Sequence, residues 1–171
     1  MTSIYAALLI FLAGCAGPAL AQAPVQGGPR PTDRTQLAAC LGESPRAPSS
    51  CIGVVAVACV RTTATAQSAA EPGCARREEA VWRERMSQGL ATLARSLDGG
   101  RRSQLASLQV AWEGFMAQKC AFYAALQTEA SQPGRQAGCE LREVAGRVIE
   151  LARALPQPPA RRLQQPPQII R

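Results

Sequence analysis

CARREEAVWRERMSQGLATLARSL, residues 74–97, is the stretch whose pattern decides the fold. Trp82, Met86, Leu90, Leu93 and Leu97 stand four, four, three and four residues apart. At 3.6 residues per turn that spacing draws one apolar stripe, the signature of an amphipathic helix. Gly99-Gly100 follows and predicts the helix end, since glycine accepts the left-handed conformation that closes many helices. Downstream, Leu105, Leu108, Trp112, Phe115, Cys120 and Tyr123 form a second stripe from about Ser103 until Gln132-Pro133-Gly134 breaks it. Leu141, Val144, Val148, Leu151 and Leu155 form a third, from about Ala137 until Pro156 stops it. All three stripes are expected to be core.

Upstream, Asp33 to Leu41 predicts a short helix capped by Thr32 or Asp33, with Gly42 after it. Ser50 to Val60 is rich in β-branched residues, which favour a strand, yet no second strand exists to pair with it. A lone strand leaves its backbone groups unpaired, so this segment reads as a buried helix. The fold class is therefore all-α, a small helical-hairpin bundle.

Ile4 to Leu12 is an apolar run of nine, too short to span a bilayer. Pro18-Ala19-Leu20-Ala21-Gln22 after it carries the small-x-small pattern of signal-peptide cleavage behind Ala21. Leu12-Ala13-Gly14-Cys15 within the same stretch also spells a bacterial lipobox, which would lipidate Cys15 and tether the chain to a membrane. Cleavage at Ala21 is the preferred reading, giving a periplasmic or secreted protein; the lipoprotein is the alternative. The organisation expected is a signal peptide (1–21), a Pro/Gly-rich flexible linker (22–34), a helical domain (35–155) and a Pro/Gln-rich basic tail (156–171).

Either route of processing leaves six cysteines: Cys40, Cys51, Cys59, Cys74, Cys120 and Cys139. An even count in an oxidising compartment reads as a disulfide framework. Zinc is disfavoured because no C-x-x-C pair occurs. Cys51 and Cys59 are eight residues apart, about 12 Å along a helix and further along a strand. That exceeds the Cα separation of about 7 Å a disulfide allows. Cys120 and Cys139 flank the Pro133-Gly134 turn and meet in a helical hairpin. For the rest, Cys40–Cys51 with Cys59–Cys74 competes with Cys40–Cys59 with Cys51–Cys74. The first set closes shorter loops and is preferred, each contributing about 3 kcal/mol by restricting the unfolded chain.

Gln109-x-x-Trp112, then Cys120, Cys139 and Arg147, resembles the C-terminal half of the LprI-type lysozyme-inhibitor family of exported bacterial all-α domains. Cys51-Ile52-Gly53-Val54-Val55 with Cys59, Cys74 and Trp82 is similar to one branch of it. The resemblance covers roughly residues 36–155, and the family's cysteine pattern implies Cys59–Cys74 and Cys120–Cys139. It also implies Trp82, Gln109, Trp112 and Arg147 as scaffold positions. The chain departs from the family at polar positions: Arg83, Met86-Ser87 and Leu90 stand where Asp, Leu-Asn and Tyr are usual. Met116 and Ala117 replace an Arg-Asp pair. The resemblance thus guides the fold more directly than the activity.

Composition narrows the function. The 171 residues contain no histidine, which excludes a Ser-His-Asp triad, a His-ligated metal and a His proton shuttle. Aromatics make up 4%, too few for a row of stacking platforms, and no recognition module is visible, so nucleic acid is not an expected partner. The acid pairs Glu78/Glu79 and Glu140/Glu143 lie in helical segments interleaved with arginines, Glu140 and Glu143 as a solvated face would. No nucleophile stands beside a base and no Gly-rich phosphate loop occurs. The chain reads as a non-enzymatic, monomeric binding protein with no cofactor and no metal.

By resemblance, the partner implied is a lysozyme-like glycosidase. Such an enzyme works with paired carboxylates in a cleft, which an inserted guanidinium would block. Arg101 and Arg102, after Gly99-Gly100, and Arg135, in the Pro133-Gly134 turn, are the candidates. Net charge of +7 favours instead an anionic cell-wall or lipopolysaccharide group, or an acidic envelope protein. Lysozymes of the common animal type are strongly basic and would be repelled at low salt.

Overall fold

The computed structural model describes residues 28–63 and 66–155. The expected signal peptide, the lipobox reading of Cys15, the first part of the expected linker and the residues from Pro156 onward lie outside the described residues. Among those described there are five α-helices and no strand: α1 (Pro31–Glu43), α2 (Val54–Thr62), α3 (Gln67–Arg95), α4 (Gly99–Ala125) and α5 (Gln132–Ala154). A short 3-10 turn (Pro48–Cys51) leads into α2. The all-α bundle expected from the stripes is the fold observed, and Ser50 to Val60 contributes turn and helix, not strand.

The helix starts differ from expectation: α1 begins at Pro31 with Arg30, not Thr32 or Asp33, at its cap, and α2 begins only at Val54, after the 3-10 turn that takes up Ser50 and Cys51. Gly99-Gly100 opens α4 rather than closing α3, because the Asp98 carboxylate accepts the Arg101 backbone N–H at 2.9 Å. That side-chain cap satisfies one of the donors a helix start leaves free. Pro133 lies in the first turn of α5, where a proline lacks no bond the helix would have made. Helix α3 begins at Gln67, ahead of Cys74, and carries Pro72 inside it.

Helices α3 and α5 run in the same direction: Arg76 pairs with Glu140 at one end, and Gly89 lies beside Leu151 near the other. Helix α4 returns antiparallel, its Lys119 paired with Glu143 and its Gln109 with Arg147. Helix α5 is thus the middle element, with α3 on one side and α4 on the other. The backbones of α3 and α4 stay apart and long side chains bridge them, notably Arg83 to Glu113 at 3.2 Å.

The disulfides are Cys40–Cys51, Cys59–Cys74 and Cys120–Cys139, the preferred set. They tie α1 to the 3-10 turn, α2 to α3, and α4 to α5. Bulky core side chains are few: Trp82, Leu37, Val55, Val81 and Val144 are fully buried. Trp82 and Met86 of the α3 stripe and Leu141, Val144 and Leu151 of the α5 stripe are core, as expected, whereas Leu90, Leu93 and Leu97 of the first and Val148 and Leu155 of the second are only half-buried.

The α4 stripe is a correction. Cys120 alone of its six members is buried; Leu105 and Trp112 are half-buried, while Leu108, Phe115 and Tyr123 face outward. The inward face is Met116, Cys120 and Ala124, spaced by four and turned about 100° from the bulky stripe. The Cys120–Cys139 bond fixes that rotation by drawing the narrow face onto α5.

Candidate partner-binding site

Two carboxylates are buried where α1 and α2 meet α3. Asp33 is held by Arg77, which donates from Nε to Oδ2 at 2.7 Å and from Nη2 to Oδ1. Its Oδ2 also accepts the Arg30 backbone N–H at 2.8 Å, closing the first turn of α1. The Arg77 guanidinium holds the Asp33 carboxyl below its ordinary value of 3.8, against burial, which acts the other way. Arg34 reaches Glu84 through two bonds of 2.7 and 2.6 Å at the exposed edge of the same α1–α3 contact.

Glu78, read from sequence as part of a charged helix face, is completely buried. Its carboxylate accepts four N–H bonds: from Gly53 at 2.7 Å, Val55 at 2.9 Å, Ala56 at 2.7 Å and the Trp82 indole at 3.0 Å. The first three are the N–H groups that the start of α2 leaves unpaired, so a residue of α3 caps α2 from 22–25 positions away. Carboxylate and helix N-terminus attract each other, the N-terminal end carrying partial positive charge. Gly53 has φ +97°, a conformation open to glycine, and this turns its N–H toward Glu78. Among the described residues no buried side-chain nitrogen or oxygen lacks a partner, so these carboxylates hold the scaffold together and are not idle acids awaiting a substrate. Nor do the described residues contain a His/Cys/Asp/Glu group able to hold a metal.

Gln109, Trp112 and Arg147 come together on the α4–α5 contact. Arg147 donates to Gln109 Oε1 at 3.4 Å, sits 5.9 Å over the Trp112 ring and pairs with Glu150 at 2.9 Å. Gln109 in turn donates to Glu113 at 3.1 Å, and Glu113 is bridged to α3 by Arg83. Trp82 is not part of this cluster; it lies in the α1–α2–α3 core against Glu78.

The three arginines singled out for partner binding do not share a surface. Arg101 and Arg102 are at the α3–α4 turn and Arg135 at the start of α5, about 36 Å away along α4. Arg101 pairs with Asp98 at 3.6 Å, and Arg102 donates to the Ala94 and Leu97 carbonyls, closing the end of α3. Arg135 has no side-chain bond among the described residues and lines a groove of about 900 Å³ between α2, the start of α3 and the start of α5. Its apolar lining includes Ile52, Val57, Val60 and Leu141. Arg61 and Arg142 line the same groove, likewise without an ion pair among the described residues, and Glu71 is the one acid among the described lining residues. Sequence reasoning singled out Arg135 but not Arg61 or Arg142; the seven-residue spacing of Arg135 and Arg142 on α5 was a local signal for the second, whereas Arg61 comes to the groove from α2.

A family model described as "Lysozyme inhibitor LprI" matches residues 59–151, a little over half of the chain's 171 residues. The match begins at Cys59, past α1, the 3-10 turn and the first disulfide, and ends within α5. No curated protein and no solved structure matches the chain. Among the described residues no helix is long and apolar enough to cross a membrane. By a match that takes in Cys59–Cys74, Cys120–Cys139 and the Gln109–Trp112–Arg147 cluster, the chain belongs to the LprI lysozyme-inhibitor family.

Proposed function

We propose that this is an exported, non-enzymatic binding protein of the cell envelope that binds and blocks a lysozyme-type glycosidase, using the groove between α2, α3 and α5. The observation that supports it is the set of three guanidinium groups, Arg61, Arg135 and Arg142, left without acidic partners on one concave surface. Most other arginines in the structure are engaged: Arg34, Arg77, Arg83, Arg102 and Arg147 each hold a carboxylate or a carbonyl. A guanidinium fork matches a carboxylate with two parallel bonds, and a glycosidase cleft is rich in carboxylates. Cys40–Cys51, just ahead of α2, and Cys59–Cys74, which joins the second half of α2 to the first turns of α3, hold the groove in shape before binding, which lowers the ordering cost of association. Arg101 and Arg102, occupied at the far turn, leave the candidate set.

The same groove supports a second reading, favoured by the net charge of +7: an anionic phosphate or carboxylate group of the envelope docks there, with no inhibition. The experiment uses protein purified from the envelope, titrated into lysozyme-type hydrolases and, separately, onto peptidoglycan and lipopolysaccharide at low and high salt. Inhibition that changes little with salt and falls about tenfold or more in an Arg135→Ala, Arg142→Ala double variant supports the first reading. Salt-sensitive retention without inhibition supports the second. Absence of both refutes the groove as a binding site.

A further inference from the structure

Helix α4 carries a second apolar seam that the fold covers along one edge only: Leu105, Trp112 and Lys119 are half-buried toward α5, and the rest is open. Leu105, Leu108, Trp112, Phe115, Lys119, Phe122 and Leu126 alternate in steps of three and four, the heptad spacing of a helix that pairs with another helix. Leu108, Phe115, Phe122 and Leu126 are each 60–64% exposed, and Tyr123 beside them is 54% exposed. The face that α4 gives to its own core is the other one, Met116, Cys120 and Ala124.

We infer that two copies of this chain pair through the α4 seam, helix against antiparallel helix. The length suits it: Leu105 to Leu126 is three heptads, about 32 Å of helix. A large apolar side chain that is three-fifths exposed leaves roughly 100 Å² in water, so the seam offers on the order of 600 Å² per copy. Doubled, that reaches the lower bound of stable, specific interfaces, about 1,200 Å². A seam facing itself across a two-fold axis is complementary by construction.

Charge selects the same occupant. From Ser103 to Leu126 the only charged side chains are Glu113 and Lys119, and both are turned to partners: Glu113 to Arg83, Lys119 to Glu143 at 2.8 Å. A face without free charge meets its own copy without repulsion even though each chain carries +7. The carboxylate-rich cleft of a glycosidase finds no cation there. A membrane surface is equally ill served, since interfacial helices flank their apolar face with free Lys and Arg. Lys119 also sets the direction. In a parallel pair it would stand opposite its own copy, like charge against like. In an antiparallel pair spanning Leu105 to Leu126 the two-fold axis falls beside Phe115, which sets Lys119 opposite the aromatic Trp112 of the other copy and the two lysines about 10 Å apart along the helix axis. This departs from the monomer expected on sequence grounds.

Sedimentation equilibrium on the disulfide-intact protein purified from the envelope, from about 1 μM to about 500 μM, tests it across the range such an interface spans. The expected result is twice the protomer mass at the upper end. Phe115→Asp and Phe122→Asp, each on an exposed position, should weaken association about 100-fold while leaving the melting of dilute protein unchanged. Lys119 is the chain's single lysine, so an amine-reactive cross-linker should yield a Lys119–Lys119 product, which joins two copies by necessity. Protomer mass throughout, dimers that survive both Asp variants, or no homotypic product overturns the inference. None of these results bears on the glycosidase reading, which rests on another face.

Discussion

Replacing Glu78 by alanine should be the most damaging single exchange of a polar residue in this protein. Four N–H groups lose their acceptor at once: those of Gly53, Val55 and Ala56, and the Trp82 indole. The Val55 N–H and the indole are buried, and a buried donor left unmatched costs about 1–3 kcal/mol. Gly53 and Ala56 are only partly buried and recover part of their loss from water. Adding the methylenes that Glu78 packs beside Trp82, the expected loss is about 4–6 kcal/mol, comparable with the whole stability of a small domain. Urea unfolding with disulfides intact, followed by Trp82 fluorescence, should show the midpoint falling by about 2–3 M at constant slope. Glu78→Gln retains one acceptor oxygen but points an amide N–H₂ at donors, and should lose about half as much. Because α2 has only nine residues and no stability of its own, its amides should lose hydrogen-exchange protection first. A Glu78→Ala loss below about 1 kcal/mol would refute the claim that this carboxylate caps α2.

Gly53→Ala should cost about 1–2 kcal/mol, since an alanine at φ +97° places its Cβ against the backbone. Gly114→Ala should do the opposite and stabilise by about 0.8 kcal/mol, because its added methyl meets nothing within 4 Å and removes a mid-helix glycine. Equal signs in thermal melting of these two variants would contradict the backbone assignment. The Asp33–Arg77 pair gives a pH dependence. With the folded carboxyl held below its ordinary 3.8, its contribution is fully present above that value and fades as pH falls through the lowered one. Acid titration of the wild type should therefore show a stability loss below about pH 4. Arg77→Ala, which strands Asp33, should lower stability at pH 7 by about 3 kcal/mol and blunt that acid loss.

Periodicity made the helices legible and chemistry made the disulfides legible, but neither reveals which face of a helix turns inward. On α5 and the first half of the α3 stripe the bulky face is the inward one, while Leu90, Leu93 and Leu97 farther along α3 are only half-buried. On α4 two stripes compete, Leu108–Phe115–Phe122 and Met116–Cys120–Ala124, and the bulkier one is outside. Hydrophobicity alone ranks them wrongly; the position of Cys120 within the smaller stripe was the local sign of the inward face, because its disulfide must reach α5. Glu78 shows a different limit. Arg76, Arg77, Glu78 and Glu79 look alike as charges, yet Glu78 is buried because a glycine turn 25 residues earlier aims N–H groups at it. The i,i+4 pair Glu78–Trp82 was visible, but its meaning depends on a tertiary contact that no local pattern contains. Arg61 joins Arg135 and Arg142 through a tertiary contact of the same kind, although those two, seven apart on α5, share a face that spacing alone predicts.

The point at which the family match begins divides the molecule in an informative way. Residues before Cys59 supply α1, the 3-10 turn and most of α2, and the ion pairs and the cap that fasten them land on one half of α3: Arg77 on Asp33, Glu78 on the α2 N-terminus, Glu84 on Arg34. Trp82, inside the matched segment, is fully buried only with Leu37 and Val55 packed in the same core. The matched helices α3 to α5 therefore cannot keep their largest core side chain out of water without the unmatched ones. The groove divides along the same line: Ile52 and Val57 come from before Cys59, while Arg61, Arg135 and Arg142 all lie within the matched segment. Its cations therefore go with the matched helices, and the unmatched cap contributes apolar lining beside them.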